Sequence, residues 1–553
     1  MKYHEIENKT RQMIDRLQGL CSTVGLSNTA NEEVVVTSVF CYKILNDKFM
    51  YNLEKFSKQL DVSIEDILNN KDNLLDTFYA ANEVDVAFSY EDTIQYLINH
   101  IEQQDFYKQF DDALVRISND KKNEKFNILT ADGEETPLFT PLTSLVESGQ
   151  RNNFAKAIFN IISQDKFDFS SAFAGSFDFF SAVFEYLIKN YNVASGTYAE
   201  YYTPQEVSKI IAKILVSMSE KLHAAEIYDP AAGSGSLILH LANELGQESG
   251  LNRALVYTQD ISSKSTRFLR LNLLLNGRNE SLENIVRGDT LESPAHFNIK
   301  GNPDSGLKKF NYIVTNPPFK VDFSASRDRI AQKWEGDRFF AGVPKIPNKA
   351  KTSMAIYLLF IQHVLYSLAE DGKAAIVVPT GFLTAQNGIE KKLREKMVKE
   401  KMLKGVISMP PNIFANTGTN VSVIFIDKAN TSDNVILIDA SNLGEEIKEN
   451  GKQKRVFRES EPQKIVDTFI NREVEEDFSV IVSYNELENK NYSFSAGQYF
   501  DVKIEYTNIS QEEYNKMIEN FDIDFIKYMK ETQKFQENIK KQLGGLIINE
   551  IEN

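Results

Sequence analysis

Two short runs hold the residues whose types and spacing suit chemistry. The first is Asp229-Pro-Ala-Ala-Gly233-Ser234-Gly235-Ser236-Leu-Ile, which follows a β-branched run and opens a helical one. Glycines at 233 and 235 let the backbone approach a ligand closely, and a helix N-terminus offers free N–H groups to a carboxylate or phosphate. Alone, such a turn is more often structural, and the third glycine of a dinucleotide fingerprint is missing. Two acids add weight. The next apolar run ends in Asp260 and the one after it in Asp289, which puts both carboxylates at the edge where open α/β sheets bind ligands, and Asp260 can accept both hydroxyls of a ribose. A single acid at a strand end is usually a cap, but two of them beside a glycine loop describe a nucleoside site.

The second run, Asn316-Pro317-Pro318-Phe319, follows the fourth β-branched run directly. A Pro-Pro pair donates no backbone N–H and holds a rigid, extended turn, so the Asn amide and the neighbouring carbonyls are fixed in place. An amino group on a planar ring is a poor nucleophile because its lone pair is delocalised. Donating its two hydrogens to the Asn316 side-chain oxygen and the Pro317 carbonyl would bring the nitrogen towards sp³ and aim its lone pair at an electrophilic methyl. Phe319 could stack on the ring. In isolation Asn-Pro-Pro reads as an ordinary turn; at the end of a strand in a nucleoside-binding sheet, the chemical reading prevails.

A scaffold for these runs is written in the surrounding pattern. Short β-branched stretches begin at Glu226, Ala254, Asn284, Phe310, Lys373, Leu403 and Val421 and alternate with helical ones, which predicts a parallel sheet covered on both faces. No long helix separates the last two, so they form an antiparallel pair. Residues 1 to about 150 read as mostly helical, with apolar positions at helical spacing in Ile6 to Leu20 and Val34 to Phe49. Residues 435 to 505 carry weaker signals. In the tail, Tyr514, Ile518, Phe521, Phe525, Tyr528, Thr532, Phe535 and Ile539 step alternately by four and three, a heptad seam that either packs on its own domain or joins a partner's coil.

Composition bounds the rest. At 553 residues, 42% hydrophobic and 25% charged, the chain is a globular protein of several domains. Cys21 and Cys41 lie outside any CxxC or Cys/His metal spacing and are too few for a disulfide framework, so the cytoplasm is the expected compartment. Met354 to Leu368, the most apolar stretch, is broken by Gln362 and His363, which argues against a membrane span. The net charge of −16 argues against gripping a polyanion over the whole surface. That charge is unevenly spread: residues 1–150 hold 14 basic against 26 acidic residues, and residues 506–553 six against nine. By contrast, residues 320–351 hold eight basic against four acidic with Phe323, Trp334, Phe339 and Phe340 among them, which predicts phosphate contact beside the tetrapeptide. Residues 390–404, with seven against three, read as the solvated face of a helix.

In the order of its motifs the chain resembles the modification (methyltransferase) subunit of type I restriction–modification systems, within the N6-adenine DNA methyltransferases. Glu200, Tyr201, Tyr202, Thr203, Pro204 and Gln205 look like the family's segment that closes over the methionine part of S-adenosylmethionine. Asp229 to Ile238 is similar to its methionine-binding loop and Asn316 to Phe319 to its catalytic tetrapeptide. Trp334 with Asp337 to Gly342, Lys373 to Pro379, and Gly418-Thr-Asn-Val-Ser-Val also look like family segments. Leu17 to Phe49 is loosely similar to the helical N-terminal domain but lacks its Asp-x-Ser-Glu-Tyr core, and Asp260 stands where the family commonly has Glu.

The resemblance implies an α/β fold: a Rossmann-like, S-adenosylmethionine-dependent methyltransferase sheet with a helical N-terminal domain and a C-terminal helical tail. The implied segments are 1–165, helical; 166–435, methyltransferase; 436–505, an extension; and 506–553, a helical tail for partner association. It implies that residues 200–205 with Asp229, Gly233, Ser234, Gly235, Ser236, Asp260 and Asp289 hold S-adenosylmethionine, and that Asn316, Pro317, Pro318 and Phe319 hold a flipped adenine. Flipping follows physically, because N6 inside a duplex cannot reach a methyl in a pocket. No metal is required. The implied partners are double-stranded DNA, a specificity subunit, a second copy of this chain and a restriction subunit. Rival readings are an RNA or protein-glutamine N-methyltransferase, a component of another phage-defence system, and an inert scaffold.

Overall fold

The apolar runs become interior strands because they are buried on both faces: every residue of Val421–Asp427 is buried, which only helices on both sides of a sheet can achieve. The computed structural model describes residues 2–27, 29–81, 85–131, 133–173, 203–219, 224–249, 254–386, 388–414, 419–449, 452–500 and 510–544. Its strands begin with β1 (Ile128–Thr130), β2 (Glu135–Thr136), β3 (Ala225–Asp229), β4 (Ala254–Asp260), β5 (Ile285–Arg287), β6 (Phe297–Ile299), β7 (Asn302–Leu307) and β8 (Phe310–Thr315). They continue with β9 (Leu368–Pro379), β10 (Leu403–Ser408), β11 (Val421–Asp427), β12 (Asn434–Asp439), β13 (Glu445–Glu449), β14 (Lys452–Val456) and β15 (Ser479–Ser483).

Eleven of these form one sheet in the order β15-β12-β10-β11-β9-β8-β3-β4-β5-β1-β2. β5, β4, β3, β8 and β9 are mutually parallel neighbours. β11 runs antiparallel between β9 and β10, the pair expected there. Successive side chains point to opposite faces: Tyr312 and Val314 join one hydrophobic core and Ile313 the other. The first core also takes residues of helices Gln205–Ser217, Ser236–Ser249 and Ser263–Leu275, and the second takes residues of Tyr357–Ser367 and Gly388–Lys399. From β3 the chain moves out through β4 to β5 and then returns to β8 on the other side of β3, so the carboxyl ends of β3 and β8 flank a topological switch point.

The sheet extends beyond the sequence expectation at both edges. β1 and β2 lie within the segment read as helical; β1 pairs in parallel with β5, Leu129 opposite Val286, and β2 closes that edge. Arg270, buried on the helix after β4, donates to the carbonyls of Phe126, Thr136, Pro137 and Leu138 and locks the same edge. At the other edge β12 runs parallel to β10 and β15 antiparallel to β12. An open edge leaves unpaired N–H and C=O groups, and these added strands cover them. Residues 1–500 form one compact unit and residues 501–553 a second.

Helix Arg151–Ile162 packs with the N-terminal helices, Phe159 meeting Phe106 and Phe110 edge-on at 5.0 Å each. Among the described residues the tail contains one helix, Gln511–Gly544. Along it the seam side chains are exposed, from 46% at Ile518 to 68% at Phe535. No helix among the described residues is long and apolar enough to cross a membrane.

Candidate active site

The glycine loop is held from below by its own turn and from behind by the helix after β4. Asp229 ends β3, and its Oδ1 accepts the N–H of Ala231 at 3.0 Å. Gly233 and Gly235 have φ of +53° and +82°, a conformation that side chains rarely adopt. A Cβ on Gly235 would also meet the tip of the Leu269 side chain, which would have to turn aside. Asn272 Nδ2 donates to the Ser234 carbonyl at 2.9 Å, and Ser236 opens the helix Ser236–Ser249.

Each acid carries backbone donors. Asp260 Oδ2 accepts Gly233 N–H at 2.8 Å and its Oδ1 accepts Ser262 N–H at 2.8 Å. A carboxylate can accept about four hydrogen bonds, so two hydroxyls can still be received. Asp289 Oδ1 accepts Leu291 and Glu292 N–H groups at 2.8 and 3.2 Å. All three acids thus cap their own strand-end turns and face the same edge. Burial pushes the Asp229 carboxyl up to about 7, opposed by the Ala231 N–H and the Thr315 hydroxyl and reinforced by the charge of Asp260. Burial raises Asp260 too, against its two backbone donors.

β8 delivers the tetrapeptide. Asn316 is buried, and its Nδ2 donates to Thr203 Oγ1 at 3.1 Å across 113 residues of sequence. With Nδ2 engaged, Oδ1 is the amide atom left to accept from a ligand among the described residues. Pro317 is buried, while Pro318 and Phe319 are half-buried. The Phe319 ring meets Tyr357 edge-on at 6.2 Å. Pro204 occupies the N-cap of the helix that Gln205 begins. Thr203, Asp229, the glycine loop and the tetrapeptide therefore converge at the ends of β3 and β8, with Asp260 and Asp289 one and two strands away. Glu200, Tyr201, Tyr202 and Gly418 lie outside the described residues.

Several supporting residues have no sequence signal of their own. Leu269 and Asn272 work from the next helix. Fully buried Gln259 donates to the Ser293 carbonyl and accepts the Ala295 N–H, and Thr290 Oγ1 donates to the Pro230 carbonyl at 2.7 Å. Such roles arise from cross-chain contacts that spacing does not encode.

The basic segment after the tetrapeptide is not a plain loop: it contains helix Arg327–Trp334 and divides its charges by residue type. Its arginines build the segment. Arg327 donates to the Val343 and Pro344 carbonyls, Arg329 pairs with Glu292, and Arg338 is fully buried. Its lysines, Lys320, Lys333, Lys345, Lys349 and Lys351, are exposed. Similarly, helix Gly388–Lys399 is not solely a solvated face, because Arg394 is buried and donates to the Tyr492 carbonyl.

Residues 175–508 match the family model for N-6 DNA Methylase. The chain belongs to that family. Among its relatives within and around this family, it is 29% identical over 356 residues to the type I restriction enzyme MpnII methylase subunit of Mycoplasma pneumoniae, covering 64% of this chain and 61% of that one. It is 27% identical over 382 residues to the type I restriction enzyme MjaIX methylase subunit of Methanocaldococcus jannaschii, covering 67% and 63%. The chain thus spans about three fifths of the length of these curated relatives. Among solved structures, it is similar in fold to the type I restriction–modification system methyltransferase subunit from Streptococcus thermophilus, with a TM-score of 0.66, 21% identity, and coverage of 90% of this chain and 100% of that one.

Proposed function

We propose that the chain is the modification subunit of a type I restriction–modification system, transferring a methyl group from S-adenosylmethionine to N6 of a flipped adenine in DNA. The observation that carries this reading is the Asn316-Pro-Pro-Phe turn at the end of β8, beside the glycine loop, with Thr203 holding the Asn316 amide nitrogen. Family membership and the methylase-subunit relatives support it.

The residues present suit S-adenosylmethionine. Left-handed glycines in the loop leave a close approach for a ligand, the buried acid Asp229 lies beneath it, and Asp260 and Asp289 keep unused acceptor capacity. Thr203, Asp229, Gly233, Ser234, Gly235, Ser236, Asp260 and Asp289 would hold the cofactor, together with Glu200, Tyr201, Tyr202, Pro204 and Gln205. When bound, it would supply an electrophilic methyl carbon and depart as a neutral thioether, the methylated amino group losing one proton to water.

Asn316 Oδ1 and the Pro317 carbonyl accept the two amino hydrogens of adenine, which localises the nitrogen lone pair on the side away from them. Thr203 holds the Asn316 amide, and Pro318 restrains the backbone that carries the Pro317 carbonyl. Phe319, backed by Tyr357, provides a stacking face. The chain contributes orientation, with no covalent nucleophile. Sequence recognition falls to a separate specificity subunit, with a second copy of this chain and a restriction subunit completing the assembly; the exposed seam of helix Gln511–Gly544 is the surface offered for that association.

The test is transfer of labelled methyl from S-adenosylmethionine by the chain combined with its specificity partner, together with methylation-aware sequencing of host DNA with and without the gene. Label in N6-methyladenine of duplex DNA, and a site lost with the gene, is the expected result. Label in RNA or in protein glutamine would overturn it.

A further inference from the structure

Arg338 is fully buried. Its Nη2 donates to the backbone carbonyls of Thr290, at 3.3 Å, and Leu291. Its Nε and Nη1 have no hydrogen-bond partner among the described residues. The guanidinium lies over the Trp334 and Phe339 rings, 4.7 and 4.4 Å from their centroids. A buried cation is expensive to desolvate, and this one sets against that cost two backbone carbonyls of a single turn and two ring faces. Burial pushes its proton affinity down to about 10, which still leaves it charged at neutral pH.

The turn it grips is the one that begins at Asp289. Within that turn Asp289 Oδ1 accepts the Leu291 and Glu292 N–H groups, and Thr290 Oγ1 ties the turn to Pro230 at the glycine loop. Arg338 takes the two carbonyls that remain between Asp289 and Glu292. A second arginine of the same segment, Arg329, reaches Glu292 Oε2 at 3.0 Å, and Leu291 packs with Phe323, Ile330 and Phe339 in a small core of its own.

We propose that Arg338 is a positioning residue for the cofactor: reaching in from the segment after the tetrapeptide, it fixes the Asp289–Leu291 turn so that Asp289 meets the adenosine end. This rests on the assignment of Asp289 to the cofactor site. Arg338→Met, in the full chain with its specificity partner, should raise KM for S-adenosylmethionine about tenfold, the loss of a charged hydrogen-bond pair. In that variant kcat at saturating cofactor stays within a factor of about three, and the melting temperature falls by a few degrees, because the Thr290 and Leu291 carbonyls lose their donor. Arg338→Lys should recover part of the loss, since an ammonium also donates to carbonyls.

An unchanged KM in Arg338→Met overturns the proposal, as does a loss carried by kcat instead of KM. Should Arg338→Met fail to fold, the surface variant Arg329→Gln decides: a KM raised about two- to threefold supports the arginine grip, and an unchanged KM overturns it. Calorimetry on the wild-type chain separates the two levels, because a wild type that binds no S-adenosylmethionine removes the cofactor assignment itself.

Discussion

At Asn316 the sequence supplies the residue type, and the fold supplies its orientation. The side chain could present either its oxygen or its nitrogen to a ligand; donation from Nδ2 to Thr203 selects the oxygen. Asn316→Ala should lower kcat by more than about 100-fold, the scale of losing a fixed polar group at a reacting centre, while S-adenosylmethionine still binds by calorimetry. Asp229 gives a pH signature. In the folded chain it keeps its proton up to about 7, against 3.8 ordinarily. Between those values the folded state binds more protons than the unfolded one, so the stability contributed by this group falls as pH rises and levels off above about 7. Asp229→Asn lacks that dependence. Its melting temperature should therefore gain on wild type from about pH 4 to pH 7 and then run parallel in ligand-free protein; a constant difference across that range would show that Asp229 titrates at its ordinary value.

At the scale of elements, the glycine loop, the helix after it and the helix after β4 act as one piece. Gly235→Ala places a Cβ against Leu269 and demands a left-handed φ from alanine. It should lower unfolding free energy by roughly 1–3 kcal/mol and weaken cofactor binding, as read by denaturant melts and calorimetry. Adding Leu269→Ala should relieve the overlap but not the backbone strain, so the double variant recovers only partly. The central strands were legible because β-branched runs such as Phe310–Thr315 and Val421–Asp427 are long enough to show a period and a burial class. β1 and β2 were not: three and two residues beside a turn carry no periodic signal, and their pairing is decided by the edge of β5. The weak stretch after residue 434 contains β12 and β15, which gain their strand character from the neighbour each one covers.

At the scale of the molecule, charge is segregated. Residues 1–150 carry the acidic excess, and five exposed lysines follow the tetrapeptide. The isolated chain should bind duplex DNA weakly at physiological salt and much more tightly once a basic specificity partner is present, with a steep salt dependence in titrations of the complex. The tail supplies a separable test. Phe521→Asp with Phe525→Asp changes two stacked, exposed rings on the seam. The main thermal transition of residues 1–500 should be unchanged, and association with the specificity partner should be lost in size-exclusion chromatography. Retained association would place that interface elsewhere.

The amino-acid sequence by itself determined which stretches become the central strands, the glycine loop, the acids at the ends of β4 and β5 and the tetrapeptide after β8, because each is a signal carried by consecutive residues. Only the tertiary structure decided which strands close the sheet edges, that Thr203 orients Asn316, and that Arg338 turns inward while the neighbouring lysines face solvent. Those outcomes depend on contacts between residues far apart in the chain, 113 positions for Thr203 and Asn316. A residue's own type does not state whether its partner will be water, a backbone carbonyl or a ligand, since burial and hydrogen-bond partners exist only once the elements have packed.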